Sequence, residues 1–271
     1  PFMVAWVGAS DEALKKMREI DVCCLRGGEP VIDAVAGLVQ FAEAKRRYEK
    51  VLKDRHESAV LRFSLDNYSG VMGTVEAGVL LQEAGVTVAD HVLCQTPEGA
   101  AVAASKFGTN VALKIESQDI LHKTDAGGVR LGLGEAATVK AAFEDIMKSS
   151  AAFSPAAVLD GVVVARMVEP GVEMVIGLNR DPAFGNVIMV GLGGVFVEVI
   201  KDVAIRLCPV TPVEAIHMLD SLKCLPILKG ARGGPRVDRE KLAQMIATVS
   251  RFGAAVGEGL VELDLNPVFA G

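Results

Sequence analysis

The sequence predicts an α/β segment followed by a longer α+β segment, and three observations lead there. Apolar runs at residues 2–7 and 21–25 alternate with helical stretches at residues 12–18 and 29–55, an order that yields parallel strands with helices beside them. Beyond residue 70 the strands cluster, and residues 173–179 and 186–190 read as a hairpin across residues 180–185, so the second sheet is largely antiparallel. Finally, 51% of residues are apolar and only 5% aromatic, with 28 glycines, a composition for closely packed elements rather than disorder.

At 271 residues the chain is long enough for two modest domains. Residues 1–57 make the first, ending in a linker helix, and residues 70–271 the second. Ser10-Asp11 starts the first helix with a capping pattern. Two strands do not make a stable sheet alone, so the rest of this sheet is expected upstream of Pro1 or on another chain. The tail of the long helix carries Lys45, Arg46, Arg47, Lys50, Lys53 and Arg55, which suits a solvated linker or an anion-binding face. Residues 58–70 lack periodicity and read as the linker.

In the second domain Thr74 is expected to cap a helix that runs to Ala84 and stops at Gly85. Residues 86–93 form a strand, Thr96-Pro97 opens a helix to Phe107, and residues 110–115 form a strong strand. A short strand at 129–133, a helix near 135–150 and a strand at 161–168 follow, then the hairpin, with residues 195–199 continuing its sheet. Thr211-Pro212 starts one helix and residues 238–253 form another. The last strand, residues 260–265, is expected to end at Asn266-Pro267.

Charge and cysteine content exclude several functions. A formal net charge of −6 argues against a nucleic-acid partner, yet leaves room for a small anion, which needs few local donors. Cys23, Cys24, Cys94, Cys208 and Cys224 are scattered and include no C-x-x-C pair, as expected of reduced thiols in a cytoplasmic protein. No apolar run reaches the length of a membrane span; the run at 187–200 is short, glycine-rich and carries Glu198. The start at Pro1, with a strand already under way and no signal-peptide pattern, reads as a piece of a longer soluble chain.

The chemistry centres on residues 114–129. Lys114 ends an apolar strand and so projects a cation from a rigid element. Gly127, Gly128 and Val129 can offer backbone N–H groups to phosphate oxygens, although a Gly-Gly turn before a strand is also common as plain structure. Lys123 is a second cation. His122 lies among Lys114, Lys123, Asp119 and Asp125, a setting for an imidazole that accepts a phosphoryl group, though a lone histidine also serves structural roles. On the last strand, alternation puts Glu262, Asp264 and Asn266 on one face, a hard-oxygen array suited to Mg²⁺ or a solvent-facing edge. Gly191, Gly193 and Gly194 miss the G-x-G-x-x-G pattern because residue 196 is Phe, and read as a turn. Glu198 and Asp202 can face a phosphate cleft or pair with Lys201 and Arg206, and Arg232, flanked by Gly230 and Gly233, can clamp an anion or lie in a plain loop.

Four runs in order, VALKIESQDILHKTDAGGV (111–129), GVEMVIGLNRDPAFG (171–185), GLGGVFVEVIKDV (191–203) and ELDLNP (262–267), resemble the ATP-grasp domain of ADP-forming (NDP-forming) acyl-CoA synthetases, relatives of the succinyl-CoA synthetase β subunit. The opening residues resemble the last piece of the flavodoxin-like CoA-ligase domain that precedes the grasp domain in fused members. The resemblance implies that Lys114 contacts nucleotide phosphates, with Gly127 and Gly128 in the flexible loop that covers them. It places Arg166, Met167 and Val168 at the hinge against adenine and Glu173 on the ribose. Asn266, with Asp264 or Glu262, would serve Mg²⁺, and His122 would relay phosphate between a CoA-domain histidine and the nucleotide. The implied reaction is acyl-CoA + ADP + phosphate ⇌ carboxylate + CoA + ATP. ATP or ADP, Mg²⁺ and CoA would be its small molecules, and an oligomeric enzyme with a CoA-binding domain or subunit outside this sequence its setting. The family carries a further metal-binding aspartate after the N-P strand, and the sequence stops at Gly271 without one. Two other readings are a regulatory synthetase-like region of a fused protein acetyltransferase and an ATP-grasp carboxylate ligase without phosphohistidine; the histidine argues against both.

Overall fold

Ser10 accepts a hydrogen bond from the Ala13 N–H at 3.2 Å, and that cap begins the first helix of the computed structural model, as the sequence predicts. The structure describes residues 3–55, 63–65, 68–194, 202–234 and 236–271. They fall into two compact units, 1–60 and 61–271. In the first, β1 (Met3–Ala5), α1 (Asp11–Glu19), β2 (Cys23–Leu25) and α2 (Glu29–Arg55) follow the expected order. Strands β1 and β2 pair in parallel, Val4 against Cys24. Among the described residues of this unit only Ala9 and Cys24 are buried apolar residues, so the pair of strands has almost no core of its own. Lys45 and Arg46 of the basic tail are exposed; the side chains further along it lie outside the described residues.

The second unit opens with α3 (Thr74–Glu83), β3 (His91–Cys94), α4 (Pro97–Phe107), β4 (Val111–Glu116), β5 (Val129–Leu133), α5 (Ala136–Phe153) and β6 (Gly161–Arg166). Its first sheet has the order β3-β6-β4-β5, all antiparallel. Val111, Leu113 and Ile115 point from β4 into a core shared with Ala100 of α4 and Phe143 and Ile146 of α5. The period of two therefore leaves Ala112, Lys114 and Glu116 on the other face.

After β6 come β7 (Val172–Asp181), β8 (Gly185–Leu192), β9 (Val203–Leu207), α6 (Pro212–Ser221), the short α7 (Leu225–Leu228), α8 (Arg239–Val256) and β10 (Glu262–Ala270). These strands form an antiparallel sheet of order β10-β7-β8-β9, with the predicted hairpin as its centre. Met174, Ile176 and Leu178 of β7 and Ile188 and Val190 of β8 bury one face beneath α6 and α8. Thr211 caps α6 with a full capping box, its hydroxyl accepting from the Glu214 N–H while the Glu214 carboxylate accepts from the Thr211 N–H.

Four expectations need correction. Thr74 is the first helical residue of α3 rather than its cap, because its hydroxyl is engaged elsewhere. The strand expected over 86–93 begins only at His91, since Val86 turns back to donate to Leu81 O. Strand β10 continues past Asn266-Pro267 to Ala270, its register shifting between Leu265 and Val268 so that the proline is accommodated at the irregularity. Strand β9 was not foreseen: it exposes Val203, Ile205 and Leu207 and buries only Ala204, the reverse of the usual alternation. The strand expected at 195–199 lies outside the described residues.

Candidate active site

Strand β4 delivers Lys114 and Glu116 to the same face, two residues apart. Lys114 is partly buried, and desolvation first, then repulsion from Lys123, holds its ammonium below the usual lysine range. Among the described residues it has no carboxylate partner, so its charge is available to an incoming anion. Glu116 is 5% exposed. Burial acts to raise its pKa, but hydrogen bonds from Lys123 and Thr74 outweigh burial and leave it below the usual carboxylate range.

The loop between β4 and β5 is fastened at several points. Ile120 and Ala126 sink into the core beneath α4 and α5. The Asp119 carboxylate accepts from the Val158 N–H at 2.8 Å. Lys123 Nζ donates to Glu116 Oε2 at 2.8 Å and to Thr74 Oγ1 at 2.9 Å. Thr74 in turn donates to Glu116 through both its N–H and its hydroxyl, the latter at 2.8 Å. His122 sits between these anchors with its side chain exposed, and its ring makes no hydrogen bond among the described residues. His91, by contrast, has Nδ1 2.8 Å from Ala89 O and its ring under Gly78 of α3.

The two glycines have a different job from the expected one. Gly127 N–H donates to Thr124 O at 3.0 Å and Gly128 N–H to Lys123 O at 2.8 Å, so neither is free to meet a phosphate. Gly128 is required sterically: a Cβ there would lie 2.4 Å from Ile115 Cγ2 and 2.9 Å from Lys123 O. Gly127 adopts a φ of +61°, which a side chain disfavours. Val129 pairs with Lys114 across the ladder and fixes where the loop closes. In this structure the loop is a hydrogen-bonded turn.

Arg166, Met167 and Val168 line a cleft of about 320 Å³ with Val88, Thr109 and Glu169. Met167 N–H donates to Asn110 O at 3.1 Å, and Arg166 lies 3.7 Å from Asp90. Glu173, exposed near the start of β7, stands close to Gly194. A larger cavity of about 540 Å³, bordered by Val79, His91, Val92 and Val102, contains none of the predicted site residues.

On the second sheet Glu262, Asp264 and Asn266 share the face opposite the core, as alternation predicts. Asp264 pairs with Gly177 across the ladder, a position without a side chain, where the end of Met189 comes within 3.4 Å of the place a Cβ would take. Desolvation first, then repulsion from Glu262, raises its pKa, partly offset by a hydrogen bond with the Asn266 side chain. The raised value marks an array short of positive charge, which fits a divalent cation. Among the described residues no three His, Cys, Asp or Glu side chains form a closed cation cage. Mg²⁺ characteristically takes one or two carboxylates and completes its shell with water and phosphate oxygens, so the donor set suits it.

Asp202 is engaged in structure: its carboxylate accepts from the N–H groups of Lys223 and Cys224 at 2.9 and 2.7 Å. Burial would raise its pKa, but those donors hold it low, while burial and then Asp202 push the Cys224 thiol up to about 11. Glu198 lies outside the described residues, as does the Arg232 side chain, whose backbone lies in the 3-10 turn Ala231–Gly233. Sequence reasoning missed Glu116 and Thr74. The signal was present in part: the period of two from Lys114 reaches Glu116, but nothing local says that the carboxylate is buried.

A family model described as an ATP-grasp domain matches residues 64–271. The chain is 39% identical over 195 residues to the β subunit of acetate–CoA ligase [ADP-forming] I of Pyrococcus furiosus, covering 72% of this chain and 84% of that one. It is 35% identical over 274 residues to acetate–CoA ligase [ADP-forming] I of Archaeoglobus fulgidus, covering 91% of this chain and 40% of that one. Among solved structures, the dinucleotide forming acetyl-coenzyme A synthetase 1 of Ca. Korarchaeum cryptofilum, in complex with coenzyme A, Ca-AMPCP and HgCl+, aligns with a TM-score of 0.72 at 36% identity, over 76% of this chain and 89% of that one. The same enzyme with coenzyme A and Mg-AMPPCP, its phosphohistidine segment pointing towards the nucleotide binding site, aligns with a TM-score of 0.62 at 35% identity, over 72% and 84%. With the partly buried lysine of β4, the histidine loop and the acid array in one unit, the chain belongs to the ATP-grasp domain family of the ADP-forming acyl-CoA ligases.

Proposed function

We propose that this chain is the nucleotide-binding, phosphate-relaying part of an ADP-forming acyl-CoA synthetase, and that His122 carries the phosphoryl group. The observation that carries the reading is the exposed His122 ring on a loop pinned at Ile120, Lys123 and Ala126, a loop that follows directly on the strand bearing Lys114, whose charge has no carboxylate partner among the described residues. A ring nitrogen bearing a lone pair attacks the γ-phosphorus of ATP, the P–O bond to ADP breaks with its electrons leaving on ADP, and the proton on the other ring nitrogen passes to the solvent that reaches the exposed ring. The phosphoramidate keeps a high transfer potential, so the phosphoryl group can pass on to the CoA-binding partner or return to ADP. Lys114 offsets the charge on the polyphosphate in a site where desolvation strengthens the attraction. Asp264, Glu262 and Asn266 would hold Mg²⁺, which supplies charge neutralisation between phosphate oxygens when bound.

Arg166, Met167 and Val168 offer the cleft for the base, and Glu173 a carboxylate for the ribose hydroxyls. The first unit supports a CoA-domain partner, because its two parallel strands bury almost nothing by themselves. Among the described residues no helix is long and apolar enough to cross a membrane. ATP radiolabelled at the γ-phosphate, with Mg²⁺, should label the chain in an acid-labile, base-stable manner. His122→Asn should abolish both label and product formation with the partner. Label retained in that variant would overturn the relay.

A further inference from the structure

We infer that Glu116 is the positioning residue of the histidine loop, orienting His122 through Lys123 without touching a substrate itself. The inference rests on the phosphohistidine reading above and extends it to a residue that the reading does not require. Glu116 is an acid with only 7% of its side chain exposed, and its one cationic partner among the described residues is Lys123, the neighbour of His122 in sequence. Lys123 and Thr74 complete a closed ring of hydrogen bonds with it, so one carboxylate ties the end of β4, the loop and the first turn of α3. A Cβ at Gly73 would lie 2.8 Å from Glu116 Oε1, so the carboxylate is packed against the backbone and has no room to swing. Ile120, Ala126 and the Asp119 carboxylate hold the loop on either side, and Gly128 N–H holds the Lys123 backbone at its carbonyl; among the described residues the Glu116 link, with Thr74, is what holds the Lys123 side chain beside the imidazole.

The same pair divides the local charge. Burial first, and repulsion from Lys123 second, hold the Lys114 ammonium below the usual lysine range, and Glu116 pairs with Lys123. Removing the carboxylate therefore frees a second cation near the polyphosphate while releasing the loop. Nucleotide affinity and transfer rate should then move apart, which a merely structural lesion would not produce.

The test compares the full chain, Glu116→Gln and the double variant Glu116→Gln/Lys123→Met. ATP affinity is measured by calorimetry, and the rate of acid-labile labelling by rapid quench at saturating ATP. For Glu116→Gln the expected result is ATP affinity equal to the parent or tighter, with labelling slowed about tenfold or more, since a misplacement on the order of 1 Å can cost up to ~100-fold. The double variant removes both members of the Glu116–Lys123 pair and so leaves neither charge without the other, with its fold checked by thermal melting; its labelling should stay equally slow, because the link is still missing. Labelling within twofold of the parent in either variant overturns the inference. So does loss of ATP affinity in parallel with rate in the double variant. His122→Asn, run alongside, separates the two claims. Label surviving there overturns the phosphohistidine reading and this inference with it, whereas label lost there but undiminished in Glu116→Gln overturns the positioning role alone.

Discussion

Lys114 and Asp264 show at the scale of single residues how function is set against stability. Lys114 keeps an ammonium in a partly desolvated place without a carboxylate partner among the described residues, and burial and Lys123 both act against its charge. Lys114→Met should leave the fold intact and weaken ATP binding by about 1.5–3 kcal/mol, roughly 10- to 100-fold, by calorimetry. Asp264 is held above the ordinary carboxylate pKa, so its ionised form costs stability at neutral pH. Asp264→Asn should raise the melting temperature of the metal-free chain by roughly 1–3 °C and remove the dependence of ATP binding on Mg²⁺. Glu116 has the opposite sign. Its folded pKa lies below the ordinary 4.5, so its contribution is present above that pH and disappears as pH falls through the folded value. Glu116→Gln should cost about 2–3 kcal/mol near neutrality, by urea denaturation, and the gap to the parent should close below about pH 4.5.

At the scale of elements, the β4–β5 loop is the informative piece. Its lysine, histidine and glycines were legible because their chemistry is written in residue types at fixed spacing. What the glycines do was not, since it depends on Ile115 behind them and on which carbonyl meets each N–H. Gly128→Ala should therefore destabilise the chain by roughly 1–3 kcal/mol through overpacking against β4, and slow labelling by displacing the loop. Gly132, left-handed at φ +74° where Gly128 is not, has open space around an added Cβ, so Gly132→Ala should strain the backbone locally without overpacking β4 and should leave labelling unchanged. The helices were read closely where caps are local, as at Ser10, Thr96 and Thr211. Thr74 was misread because Glu116, distant in sequence, claims its hydroxyl and N–H. Strand β9 escaped notice because an exposed face of Val203, Ile205 and Leu207 inverts the pattern on which strand recognition depends.

For the whole molecule, the two-unit order was legible from composition and element sequence, because helix–strand alternation and hairpins are properties of neighbouring segments. The second unit owns both large cores, and none of their buried residues comes from residues 1–60. Residues 61–271 expressed alone should consequently melt within a few degrees of the full chain and bind ATP equally well. The first unit alone should show little cooperative unfolding, as expected of a pair of strands without a buried layer.

The central claim is that a single exposed imidazole on a fastened loop receives phosphate from ATP. It is met most directly by digesting the labelled chain at alkaline pH and locating the phosphoryl group by mass spectrometry. The account predicts an acid-labile phosphoryl group on the peptide that contains His122. A phosphoryl group on any other residue, or none in a chain that binds Mg-ATP, would contradict it.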